Sequence, residues 1–142
     1  MKVSGIILII LSLIVQGSVF AQKSEMASIK GGEFLPLYGS NTKVKVDDFL
    51  MDKHPVTNAE FLQFVKEYPK WKRSQVKQIF ADDNYLNSWK NDITLGAGQL
   101  PDAPVTMVSW YAAKNYCECQ GKRLPTVDEW EYVAMANQNQ KD

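Results

Sequence analysis

The stretch from Ala103 to Ala136, APVTMVSWYAAKNYCECQGKRLPTVDEWEYVAMA, constrains this chain more than any other, because local rules in it fix two helices and the turn between them. Ser109 is a good N-cap residue, its hydroxyl able to accept from a backbone N–H of the first turn. Behind it Trp110, Ala113 and Cys117 fall at i, i+3 and i+7, the face of a helix expected over 110 to about 120. Gly121 stands where a helix gives way to left-handed backbone, and Lys122 and Arg123 bring positive charge to its last carbonyls. A second helix follows at once. Thr126-Val127-Asp128-Glu129 has the form of a capping box, with Pro125 as its non-helical lead-in. Asp128, Glu129 and Glu131 suit the positive end of that helix's dipole, and Trp130, Val133 and Ala134 mark its expected buried face. The carboxylates thus have a structural role already: their spacing is what a cap requires, and it is a weak sign of an acid–base pair.

Similar signals place the remaining elements. Thr57-Asn58-Ala59-Glu60 is another capping box, and Phe61, Phe64, Val65 and Tyr68 repeat at i, i+3, i+4 and i+7 before Pro69 ends the run. Ser28 to Phe34 reads as a short strand broken by Gly31 and Gly32, where close backbone approach or a positive φ is expected and no phosphate loop follows. Val44 to Asp47 alternates as a half-buried strand, and Phe49-Leu50-Met51 carries the apolar character to a turn near Asp52 and Lys53. Between Lys70 and Gln99 the periodicity fades into loop with helical pieces, Val76, Ile79 and Phe80 suggesting one helical turn. Trp71, Tyr85 and Trp89 there are expected to pack: a stacking groove for nucleic acid at Trp71-Lys72-Arg73 is opposed by Asp82, Asp83 and Asp92. Sixteen basic and sixteen acidic residues cancel, so net charge gives no footing to nucleic acid or an anionic membrane as partner.

Pro104-Val105, Val108-Ser109-Trp110, Ala112-Ala113, Tyr116-Cys117, Gly121 to Thr126 and Glu129-Trp130-Glu131-Tyr132 form an ordered series that resembles the signature of the formylglycine-generating enzyme family, also called sulfatase-modifying factors. Two further segments are similar to that family: Gly31-Gly32-Glu33-Phe34, which opens its domain, and Asp52-Lys53 through Val56-Thr57-Asn58 into Phe64. The family usually has Pro where Lys30 stands and Met-Gly where this chain reads Pro36-Leu37-Tyr38-Gly39. The resemblance implies an α+β fold, a C-type-lectin-like mixed domain with irregular short strands, about three helices and much loop, and incomplete at this length. The family's enzymes use copper and O2 to oxidise a sulfatase cysteine to formylglycine, and they also bind calcium. The cysteines and calcium ligands concerned lie in the carboxy-terminal part of the domain, so no catalytic, cofactor-binding or metal-binding residue can be assigned among residues 1–142.

Cys117 and Cys119 are the only cysteines and His54 the only histidine. Residues two apart on a helix face different ways, so Cys-x-Cys can neither form a sound disulfide nor jointly grip an ion while the helix holds. Zinc would need more ligands than a distant His54 supplies, and the histidine-ligated iron oxidases related to the family need more as well. In some family members the cysteine at the Tyr-Cys position pairs with one near the end of the domain, which leaves Cys117 without an obvious partner here.

The amino terminus has the form of a secretory signal: Lys2, an apolar run from Ile6 to Val15 interrupted by Ser12, and small residues ending at Ala21. Cleavage after Ala21 is expected, leaving residues 22–142 as the amino-terminal part of the domain in the periplasm or outside the cell, free of the membrane. An uncleaved anchor is the alternative. The function expected is that of an exported formylglycine-generating enzyme-like protein, with a sulfatase or another protein as its partner. Lacking the catalytic cysteines, it is expected to be a fragment inactive alone. The competing expectation is a non-catalytic binding or envelope-structural module of the same fold.

Overall fold

Local signals and a shared aromatic core together account for the architecture. The computed structural model describes residues 25–37 and 41–139, with side chains to Met135 in the last helix. The expected signal segment and its cleavage point lie outside those residues, as do Tyr38, Gly39 and the polar tail beyond Asn139. Two antiparallel two-stranded ribbons come first. β1 (Met26–Ile29) pairs with β4 (Phe49–Asp52), and β2 (Gly32–Phe34) pairs with β3 (Val44–Val46). Three helices follow, α1 (Asn58–Glu67), α2 (Trp110–Cys119) and α3 (Val127–Asn139), with a single 3-10 turn at Pro69–Trp71 after α1. The result is a mixed α+β domain with short strands and much loop, as expected from the sequence.

The strand expected over 28–34 is divided, because the chain leaves one ribbon and enters the other at Gly31. A Cβ there would stand 2.2 Å from the Val46 carbonyl oxygen, so close approach is what demands glycine. Gly31→Ala is expected to force the ribbons apart at a cost of about 1–3 kcal/mol. A urea midpoint unchanged from that of the parent chain would contradict this reading of the crossing.

The helix caps form as their sequences dictate. Thr57 and Glu60 exchange bonds at 2.8 and 3.3 Å, Thr126 and Glu129 do so at 2.8 and 3.1 Å, and the Ser109 hydroxyl accepts from the Ala112 N–H at 3.2 Å. Gly121 ends α2 with φ +68°. The core lies between α1, the first turns of α2 and the long connection joining them. Phe61, Phe64 and Val65 meet Trp71, Tyr85, Leu86, Trp89 and Ala112, all nearly solvent-free. The aromatic residues of the middle segment are therefore packing residues. The Tyr85 hydroxyl donates to the Trp71 carbonyl at 2.9 Å, and Arg73 donates to the carbonyls of Leu86 and Trp89, so the connection is held by directed bonds without regular structure.

Two expected faces are displaced. Trp110 and Trp130 are 60% and 61% exposed, while Ala112 on α2 and Glu129 and Glu131 on α3 are buried. On α2 the face is turned by Ala112 and Tyr116 meeting α1. α3 packs against the β2–β3 ribbon and the segment after β2: Tyr132 meets Phe34 edge to face at 5.7 Å, its hydroxyl donates to the Lys30 carbonyl, and Glu131 accepts the Leu37 N–H at 3.2 Å. α3 continues through Asn139, the last described residue.

Candidate functional site

The end of β4, the cap of α1 and the middle of α2 converge on one cleft. Thr57 bridges to Pro104, and the Val105 N–H donates to the Val56 carbonyl at 2.9 Å, which fastens the entry of α1 to the segment preceding α2. Asn58 adds a bond from its side-chain amide to the Leu100 carbonyl at 2.9 Å. The cleft so framed has a volume of about 540 Å³ and is lined by Glu25, Asp52, His54, Glu60, Asp102 and Tyr116, among others.

Its carboxylates are largely engaged. Glu25 pairs with Lys53 at 2.5 Å, Asp52 with Lys122 at 2.6 Å, and Glu60 serves the α1 cap. Burial, with Glu60 and Asp52 adding to it, pushes the Tyr116 hydroxyl up to about 12, so it stays protonated and can donate at neutral pH. This arrangement suits recognition of a polar group. Neither cysteine lines the cleft.

Cys117 lines a neighbouring apolar pocket of about 200 Å³ with Phe61, Val105, Val108, Leu124 and Tyr116. Burial first, and then the Asp52 carboxylate, hold its thiol above the ordinary cysteine range, which disfavours the reactive thiolate. Cys119, the last residue of α2, is exposed, and its nearness to Tyr68 holds that hydroxyl above the ordinary tyrosine range. The two thiols thus have different surroundings on one helix, and His54 lines the first cleft, which includes neither of them. Copper held by paired thiolates does not fit these residues. Among the described residues no group of three or more His, Cys, Asp or Glu side chains is placed to hold an ion.

The carboxylates of α3 have the structural role expected of them, with one partner that spacing did not suggest. Arg123 grips Glu129 through both guanidinium nitrogens at 2.6 Å, and this bond more than the cap lowers the carboxyl to about 2. Asp52, Glu60 and Asp102 were equally invisible as neighbours, because strand, cap and connector reach the cleft from separate parts of the chain.

The family model described as "Sulfatase-modifying factor enzyme 1-like domain" matches residues 13–142. A serine/threonine-protein kinase pkn1 of Chlamydia pneumoniae is 32% identical over 126 residues, 78% of this chain and 19% of that one. An inactive C-alpha-formylglycine-generating enzyme 2 of Bos taurus is 32% identical over 122 residues, 68% of this chain and 40% of that one. The formylglycine-generating enzyme of the same species is 32% identical over 116 residues, 63% of this chain and 31% of that one. The chain therefore spans less than half the length of these relatives.

Proposed function

We propose, from the premise that this chain belongs to the sulfatase-modifying factor enzyme 1-like family, that residues 22–142 are the scaffold part of an exported formylglycine-generating-type protein. They supply helices, caps and a recognition cleft, and the copper-binding thiols of the family's oxidation belong to other polypeptide. A sulfatase or similar protein is the partner of the assembled domain, and these residues alone leave its cysteine unchanged.

The divergence of Cys117 and Cys119 carries this reading, since soft-metal chemistry needs thiolates that converge. Exposed apolar side chains at Val127 and Trp130 agree with further polypeptide packing on α3. The kinase name attaches to a protein matched over 19% of its length, and no residue here is given that activity.

The full chain, purified and incubated with Cu(I), O2 and a cysteine-containing sulfatase peptide, is expected to leave the peptide thiol titre constant, with no aldehyde on hydrazide labelling. Aldehyde formation above the copper-only control would overturn the proposal. A second reading, an exported non-catalytic binding module, is favoured by a specific observation: a row of aromatic rings leaves the core and reaches solvent beside α2.

A further inference from the structure

That row begins at buried Trp71. Phe80 meets it edge to face at 6.2 Å, Tyr111 meets Phe80 at 5.2 Å, and Trp110 meets Tyr111 at 5.3 Å. Exposure rises along the series from 7% at Trp71, through 39% and 46%, to 60% at Trp110, so the rings offer progressively more apolar surface. The Trp71 indole is fixed by donating to Asn115 Oδ1 at 2.6 Å. The platform is anchored at its inner end.

Phe80 and Tyr111 are walls shared by two clefts of different character. The first, about 500 Å³, adds the ammonium groups of Lys70, Lys77 and Lys114 and the amides of Gln75 and Asn115. Its one carboxylate, Glu118, is held by Lys114 a turn earlier on α2. The second, about 520 Å³, adds the neutral polar groups of Gln78, Asn84 and Ser109 and the carboxylate of Asp82. With Lys114 neutralised by Glu118, Lys70 and Lys77 leave the first cleft net positive, while Asp82 makes the second net negative.

We infer that these joined clefts bind an oligosaccharide ending in an acidic sugar. The carboxylate or sulfate of the terminal sugar lies against Lys70 and Lys77, the lysines of this cleft that Glu118 does not pair with, where charge-assisted bonds are strongest. The following neutral sugars lay their C–H faces on Tyr111 and Trp110, rings that combine a broad apolar face with a polar handle. Amide side chains on both rims can donate to and accept from sugar hydroxyls at once. A nucleic acid strand, charged at every unit, would carry phosphate onto Asp82 at the outer end. The volumes, and the aromatic rings set among polar side chains, suit a small ligand.

The test is calorimetric titration of the full chain with a trisaccharide ending in a hexuronate, its sulfate-ended counterpart, the neutral hexose analogue, polyglutamate and a single-stranded oligonucleotide. One or both acidic trisaccharides are expected to bind at least about tenfold more tightly than the neutral one, the gain of one charge-assisted contact. Lys70→Gln with Lys77→Gln is expected to remove that preference and spare neutral-sugar binding. Tyr111→Ala is expected to weaken both, with circular dichroism confirming that each variant is folded. Equal binding of acidic and neutral sugars, tighter binding of polyglutamate or the oligonucleotide, or no binding at all would refute the inference. It does not depend on thiol chemistry, so a silent calorimeter and a positive oxidation assay are separate failures.

Discussion

Phe61→Ala is expected to lower the unfolding free energy by about 4 kcal/mol, the cost of emptying a large aromatic site in a packed core. Phe61 is 1% exposed and touches three other aromatic rings, with centroids at 5.3 Å for Phe64, 5.8 Å for Tyr116 and 6.4 Å for Trp89. Those neighbours belong to α1, α2 and the connection between them, so none can move into the gap without leaving other partners. Against a typical domain stability of about 5–15 kcal/mol, the loss removes a large part of the folded population. Phe80→Ala, at 39% exposure, removes a ring already half in solvent and is expected to cost about 1 kcal/mol. Urea denaturation of both variants checks the contrast. Equal midpoints would mean that the core is centred elsewhere.

Glu129→Gln is expected to cost about 2–3 kcal/mol at neutral pH, because it replaces a carboxylate accepting from both Arg123 nitrogens and the Thr126 N–H. The carboxyl is nearly buried, whereas the Arg123 side chain is 63% exposed, so added salt is expected to reduce the difference. The same group sets an acid limit. Its folded value, about 2, lies below the ordinary 4.5, so the unfolded chain takes the proton more readily. Its stabilising contribution is therefore complete above about pH 4.5 and disappears as the pH falls toward 2. In Glu129→Gln the decline of stability between pH 5 and pH 2 is expected to become shallower, leaving the smaller part due to Asp48, Asp92 and Glu118, which are also held low by partners. A decline as steep as in the parent would assign the acid sensitivity to other carboxyls.

The helices were legible because their information is local. Thr57, Ser109 and Thr126 each meet a backbone N–H within one turn, and Gly121 marks the end of α2 without help from distant residues. Burial was less legible, since a helical period marks a face without saying what covers it. Trp110 and Trp130 occupy positions that periodicity assigns to a core, yet Ala112 and Tyr116 turn α2 toward α1, and Glu131 turns α3 toward the chain after β2. Leu86 and Met107 show another limit. Both take left-handed backbone, with φ of +48° and +58°, at residues that rarely adopt it, joined by a bond from the Leu86 N–H to the Met107 carbonyl at 2.8 Å. No glycine or asparagine announces either bend. The clefts were illegible for a related reason: their charges come from separate elements, and only folding makes them neighbours.

One feature of α2 joins all these surfaces. Within ten residues it sends Ala112 into the core, Tyr116 to the acidic cleft, Cys117 to the apolar pocket, Lys114 to the lysine-rich cleft and Trp110 to the cleft beside it. A rigid rod with occupants on every side cannot be rotated for the benefit of one of them. Substitutions that re-aim α2 toward a better fit in one recess will degrade the others together, so adaptation of any single recess has to come from the loops that face the rod.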